Sequence, residues 1–291
     1  MTISKAVAMK NKGVIVINKP TDWTSFDVVN KIKRLIGLSR VGHLGTLDPM
    51  ATGVLLVTIG KATKLFDIMQ EKKKTYVATF HFGEETNTLD STGKITNSNN
   101  KIVTRKEIEA ILNTFVGEIS QIPPKYSAKS VNGVRAYMLA RKNEDFVLPA
   151  KVVKIYELKI IDFNDNILTL EITCGSGTYI RALGRDIAYK LNTYATMISL
   201  VRTKVGKFDL NQSIDIKSLT KDNIENYILP IDSVLDYNKI ELSDINTKKI
   251  LNGQTIKTDL QDGTYKLNNE LDTIALIQVH NSNAKMSLFL G

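Results

Sequence analysis

The chain has 291 residues, with 39 Lys+Arg against 30 Asp+Glu and a formal net charge of +9. At 43% hydrophobic and 24% charged it can bury a sizeable core, which excludes a disordered chain; its single cysteine, Cys174, excludes an internal disulfide framework and any multi-cysteine zinc site. No apolar run approaches the roughly 20 residues that cross a bilayer, and the first dozen residues lack the apolar stretch of a secretory signal, so a cytoplasmic protein is expected.

The charge is uneven. Residues 1–74 hold 13 basic and 5 acidic side chains, whereas residues 231–291 hold 6 and 8. A local basic excess suits a polyanion such as nucleic acid, and it equally describes a lysine-rich solvated surface. Residues 13–18 read as a buried strand ended by Lys19-Pro20. Ser25 is then expected to cap a helix with an apolar stripe of Val28, Val29, Ile32, Leu35 and Ile36, stopped by Gly37. Lys31, Lys33 and Arg34 lie off that stripe. A glycine-punctuated loop fills residues 42–53, followed by an apolar run over 55–59 and an amphipathic stretch over 62–69. Residues 75–82 alternate as a strand, and 86–94 form a polar turn. Thr104 and Glu107 make a capping box for a helix with the stripe Ile108, Ile111, Leu112 and Phe115, closed by Gly117.

Pro123-Pro124, Asn132-Gly133 and Pro149 mark residues 121–150 as loop-rich, with a short helix near 136–141. Residues 167–174 alternate, which places Cys174 in the core beside Leu168, Leu170 and Ile172. The turn 175–178 opens a helix on which Arg181 and Arg185, four apart, share a face. Pro230 marks a boundary, so the expected division is 1–230 and 231–291. The last part predicts a helix at 244–251 and strands at 273–279 and 285–290. Together these patterns predict a mixed α/β (α+β) fold.

No metal or cofactor is expected. His43, His81 and His280 show no paired ligand spacing, and neither a dinucleotide fingerprint nor a P-loop is present. The densest unusual segment is Val41-Gly-His-Leu-Gly-Thr-Leu-Asp-Pro-Met-Ala-Thr-Gly-Val54. On its own, an Asp-Pro pair is a turn, and those glycines are turn glycines. The functional reading is a carboxylate presented from a rigid loop that a ligand can approach closely.

That segment resembles the catalytic motif of the TruB family, the stand-alone tRNA pseudouridine-55 synthases. Further segments agree in order. Asn18-Lys-Pro-Thr-Asp-Trp-Thr-Ser-Phe26 resembles the family's strand–turn–helix signature, and Lys74-Thr-Tyr-Val-Ala78 the segment with its stacking tyrosine. Gln121-Ile-Pro-Pro-Lys-Tyr-Ser-Ala-Lys129 is similar to the insertion that grips the tRNA elbow. Cys174-Gly-Ser-Gly-Thr-Tyr-Ile-Arg-Ala-Leu183 resembles the second active-site motif, and Ile198-Ser-Leu-Val-Arg202 the uracil-pocket segment.

The resemblance implies a mixed sheet flanked by helices, an inserted tRNA-gripping segment at about 100–150, and a small PUA-like C-terminal module. It implies isomerisation of a T-loop uridine to pseudouridine, with tRNA as partner and no protein partner or membrane. The reaction involves no redox change, in keeping with the lack of a cofactor motif. Asp48 becomes the nucleophile at C1′ or the base at C2′ of a glycal route. Arg181 becomes the partner that orients Asp48 and keeps its pKa low. Tyr76 becomes the platform for the flipped uracil and a candidate for taking the C5 proton. His43, which would fill the gap left by the flipped base, joins Tyr179, Leu200 and Lys19 as substrate-binding residues. The run Lys72-Lys73-Lys74 is a solvated turn or a phosphate contact. Two rivals stand beside this: a guide-RNA-dependent relative that modifies ribosomal RNA, and a non-catalytic RNA-binding or tRNA-folding protein. The insertion and the acidic C-terminus argue against the first, and the presence of Asp48, Tyr76 and Arg181 against the second.

Overall fold

A computed structural model describes residues 11–131, 133–142 and 144–291. The first ten residues, over which no secretory signal was expected, and Asn132 of the Asn132-Gly133 turn lie outside the described residues. In chain order, β1 (Gly13–Lys19) leads to α1 (Ser25–Ile36), β2 (Val41–His43), β3 (Thr52–Ile59) and β4 (Lys74–Phe82). A hairpin of β5 (Glu84–Thr86) and β6 (Ile95–Ser98) precedes α2 (Arg105–Leu112) and β7 (Gly117–Gln121). A second hairpin, β8 (Ser130–Val131) with β9 (Val134–Arg135), runs into α3 (Ala136–Arg141). Then come β10 (Lys151–Asn164), β11 (Ile167–Cys174), α4 (Ile180–Lys190), β12 (Ala195–Val205), β13 (Phe208–Asp209) and β14 (Ile214–Asp215). The rest of the chain forms β15 (Asn238–Ile240), α5 (Asp244–Leu251), β16 (Ile256–Lys257), β17 (Gly263–Asn268), β18 (Thr273–His280) and β19 (Asn283–Phe289).

The large sheet is mixed, in the order β14-β1-β3-β12-β4-β11-β10-β7. The β1–β14 and β3–β12 pairs are parallel, and the other pairs along this path are antiparallel. Strands β1 and β3 are continuous apolar runs because both their faces are covered. Ile15, Ile17, Leu55 and Val57 pack with Val28 and Ile32 of α1, Ile108 of α2 and Ile187 of α4. Their neighbours Val14, Val16, Val54 and Leu56 pack on the opposite face with Ile231, Val234, Leu276 and Leu290. The second sheet, β15-β17-β18-β19-β16, has its own core around Ile250, Leu267 and Ile277.

Several sequence expectations need correction. Thr24, not Ser25, caps α1: its side chain accepts from the Asp27 N–H, and Asp27 accepts from the Thr24 N–H, a complete capping box. Ser25 is the first helical residue and is buried. Helix α2 ends at Leu112, and Asn113–Phe115 finish as a 3-10 turn. Strand β10 and most of β12 escaped the periodicity reading. Both carry register shifts, at Ile155/Glu157 and Ile160/Asp162 in β10 and at Met197/Ser199 and Arg202/Lys204 in β12. A bulge inserts a residue and switches faces, which breaks the period-2 signal.

Candidate active site

The loop between β2 and β3 is held from three sides. Ser25 Oγ accepts from Leu47 N–H (2.9 Å) and donates to its carbonyl (3.2 Å). The buried Lys19 ammonium donates to the carbonyls of Pro20, Trp23 and Pro49 at 2.5–3.0 Å. From β12, Arg202 donates through Nε to Val54 O (2.7 Å) and through its Nη atoms to Thr46 O (3.3 Å) and Gly45 O (3.1 Å). The Asp-Pro pair is a turn, closed by Ala51 N–H on Asp48 O at 3.1 Å. Gly53 permits the close β3–β12 approach: its φ is 106°, and a Cβ there would sit 2.2 Å from the Arg202 carbonyl.

This scaffold presents Asp48 to Arg181, in the first turn of α4. Arg181 Nε lies 3.0 Å from Asp48 Oδ2, and Nη2 donates to Oδ1 at 3.1 Å, a two-point fork. The remaining guanidinium edges meet Thr88 O (2.8 Å), Tyr126 O (3.1 Å) and the buried Asp90 carboxylate (3.2 Å). Arg181 is thus buried, not a surface helix arginine. Arg185, one turn on, reaches Ile122 O at 2.9 Å, so the arginine face of α4 holds carbonyls of the inserted segment.

A cavity of about 410 Å³ opens over this pair, in the range of small-ligand pockets. Asp48, Arg181, Tyr76, Tyr179 and Leu200 all line it, together with Tyr126, Tyr137, Lys74 and Arg202. Tyr76 on β4 sits between Ile172 of β11 and Arg202 of β12. The Tyr179 backbone is clamped by Gln121, whose side chain accepts from Tyr179 N–H (2.8 Å) and donates to Tyr179 O (3.1 Å). His43 ends β2 outside the cavity wall, half-buried, its Nδ1 buried with no hydrogen-bond partner among the described residues. Among the described residues no cluster of His, Cys, Asp or Glu is placed to hold a metal ion.

Electrostatics change two expectations. Burial pushes the Asp48 carboxyl above the ordinary carboxylate value, and Asp90 adds to the rise while Arg181 and Lys19 oppose it. Arg181 therefore orients Asp48 without setting a low pKa. Lys19 is expected among the substrate contacts, but it is fully buried and its ammonium is spent on three carbonyls; it is a positioning residue, lowered to about 8 by burial. Burial raises the Tyr76 phenol and favours its neutral form in the free enzyme. Burial likewise lowers His43 and favours the neutral ring.

The lysine run is neither a simple solvated turn nor one phosphate patch. Lys72 pairs with Asp236 at 3.1 Å, Lys73 lies 4.2 Å above the Tyr156 ring, and Lys74 is buried in the cavity wall at about 8. Asp90 and Arg202 escaped the sequence reading. An arginine inside an apolar alternating stretch was the available signal for Arg202; Asp90 looked like any turn aspartate.

A mixed sheet that sets an arginine-forked aspartate beneath a tyrosine-walled, nucleotide-sized cavity defines a candidate base-modifying enzyme. Family models agree with that class: residues 33–180 match the TruB family pseudouridylate synthase N-terminal domain, and residues 181–236 the tRNA pseudouridylate synthase B C-terminal domain. Proteins named tRNA pseudouridine synthase B are 42% identical over 85% of this chain and 86% of their own length in Clostridium kluyveri, 41% over 90% and 90% in Caldanaerobacter subterraneus, and 48% over 72% and 93% in Ureaplasma urealyticum. The chain belongs to the TruB family of pseudouridylate synthases and is an isomerase. The fold is also that of the crystal structure of a Cbf5-Nop10-Gar1 complex, with a TM-score of 0.75 at 22% identity over 98% of this chain and 86% of that one.

Proposed function

We propose that this enzyme converts uridine 55 in the T-loop of tRNA to pseudouridine, as a stand-alone cytoplasmic protein. The observation that carries the reading is the Asp48–Arg181 fork at the base of a cavity walled by Tyr76, Tyr179 and Leu200. The relatives' names supply the substrate class, since 37–48% identical proteins are called tRNA pseudouridine synthase B. That identity favours the stand-alone enzyme over a guide-RNA-dependent relative.

A loop uridine must leave its stack to reach Asp48, as in other base-modifying enzymes. Tyr76 then stacks on the uracil, and Tyr179 and Leu200 fill out the pocket. The reaction breaks C1′–N1, turns the uracil, joins C5 to C1′, and replaces the C5 hydrogen by one on N1, so no atom is gained or lost. Asp48 acts on the sugar, by adding to C1′ or by taking the C2′ proton; both routes need its ionised form. His43, at the end of β2 outside the pocket, takes the space the base leaves. The division into a catalytic part, 1–230, and a PUA-like part, 231–291, belongs to the same proposal.

The test is pseudouridine mapping on an unmodified T-stem-loop transcript, with wild type beside Asp48→Asn. Wild type is expected to convert the T-loop uridine, and Asp48→Asn to bind the RNA without making pseudouridine. Product from the variant refutes the role of Asp48 and favours no other residue in the cavity.

A further inference from the structure

Basic side chains lie beside the glycine turn of the cavity wall. The turn 175–178, which lines the cavity, packs against the start of β10. Gly175 N–H donates to Lys154 O at 2.8 Å. A Cβ on Gly177 would lie 3.2 Å from the Lys151 Nζ, and one on Gly175 would lie 3.8 Å from the Tyr156 ring. Tyr156 is itself bracketed by two ammonium groups, Lys73 at 4.2 Å and Lys154 at 5.5 Å from its centroid. Lys73, Lys151 and Lys154 are all exposed.

Two lysines share one carboxylate: Lys72 and Lys207 both reach Asp236, at 3.1 and 2.6 Å. Among the described residues Lys73, Lys151 and Lys154 form no ion pair with a carboxylate. Glu118 faces Lys154 across the β10–β7 ladder, yet the two make no ion pair. Three exposed cations thus remain uncompensated beside two glycines that let a ligand come close to the backbone. Two of the three are steadied by one aromatic ring.

An extruded nucleotide leaves its phosphates at the pocket mouth, because the ribose that carries the base stays joined to the strand. We propose that Lys73, Lys151 and Lys154, arranged around Tyr156 and the 175–178 turn, form a phosphate clamp for the RNA backbone flanking the flipped nucleotide. The clamp supplies affinity and register without reading sequence, as phosphate contacts do. It rests on the proposed RNA substrate and adds the residues that hold its backbone.

The test measures binding of the T-stem-loop against salt for wild type and for Lys73→Gln/Lys151→Gln/Lys154→Gln, with pseudouridine formation by wild type recorded on the same RNA. Each lost single-strand phosphate contact lowers the log–log salt slope by about 0.7, so the triple variant is expected to show a slope shallower by about 2. Weaker binding at low salt and a raised KM accompany it, and the triple Lys→Arg variant restores the slope. A slope equal to that of wild type, while wild type forms pseudouridine, overturns the clamp alone. A wild type that forms none overturns the substrate reading instead. Thermal unfolding separates a folding defect from lost contacts, since the three side chains are exposed and their removal is expected to leave Tm within about a degree or two.

Discussion

Asp48 is held by a guanidinium whose every edge is occupied. Replacing Arg181 with lysine keeps the charge and discards the fork, because one ammonium cannot span both carboxylate oxygens and still meet Thr88, Tyr126 and Asp90. Turnover is expected to fall by about a hundredfold or more while RNA binding persists, checked by single-turnover assays and direct binding. The pH profile follows from the raised Asp48 pKa. In the role proposed for Asp48 the ionised form reacts, so kcat/KM is expected to fall as pH drops through that pKa. Because burial raises it, the acid limb is expected above the ordinary aspartate value of about 3.9. A limb at or below that value contradicts the burial argument. At this scale the sequence showed which carboxylate and arginine were unusual. It did not show that Lys19 turns inward, that Asp90 shares the arginine, or that Arg202 holds the loop. Each of those depends on which carbonyl lies within about 3 Å, and that is set by neighbours distant in sequence.

The elements that carry the site are joined by small contacts. Ser25 binds α1 to the loop that carries Asp48, and Gln121 binds β7 to the start of α4. Helix α4 lies close on the sheet at Gly184, where a Cβ would come 2.3 Å from the Phe80 ring. Gly184→Ala gains about 1 kcal/mol of helix propensity. It also overpacks a buried aromatic, which costs about 1–3 kcal/mol, and at 2.3 Å the ring must move. The net effect is expected to be a lower Tm and a lower urea midpoint, with activity reduced because Arg181 sits one turn away. A stabilised variant would show that α4 can shift freely. Helix α1 was legible from its stripe, though its cap lies one residue earlier than read, and α2 from its cap and stripe; α3 and α5 lie where the sequence places them. Strands β10 and β12 were not, because bulges interrupt their alternation and their partners come from remote parts of the chain.

At the scale of the whole molecule, the two large sheets share one apolar cluster, although the second also has a core of its own. Leu276 and Leu290 of the C-terminal part share a cluster with Val14, Val16, Val54 and Leu56. Lys12 meets Asp272 at 3.6 Å, and Lys64 donates to Phe289 O at 2.9 Å. Against the cost of burial, hydrogen bonds from Asn268 and Lys266 hold Asp232 down to about 2 at the same junction. Deleting residues 231–291 would uncover an apolar face of the large sheet. The fragment 1–230 is expected to aggregate or to unfold at markedly lower urea; a soluble fragment of wild-type stability would show that the junction contributes little. The acidic C-terminus fits this picture, since Asp236 and Asp272 neutralise lysines of the first part.

By itself, the sequence determined the apolar stripes, the α2 capping box, the strands β1, β4 and β11, and the motifs that place this chain in its family. Those are local properties: periodicity, turn chemistry and residue order along the chain. Tertiary structure alone decided which charges are free. Of the early basic excess, Lys19 is buried, Lys72 is paired and Lys73 stands over the Tyr156 ring, although all three count equally as +1 in the sequence. Charge acts through distance and burial, and both are fixed only when strands far apart in the chain come to lie side by side.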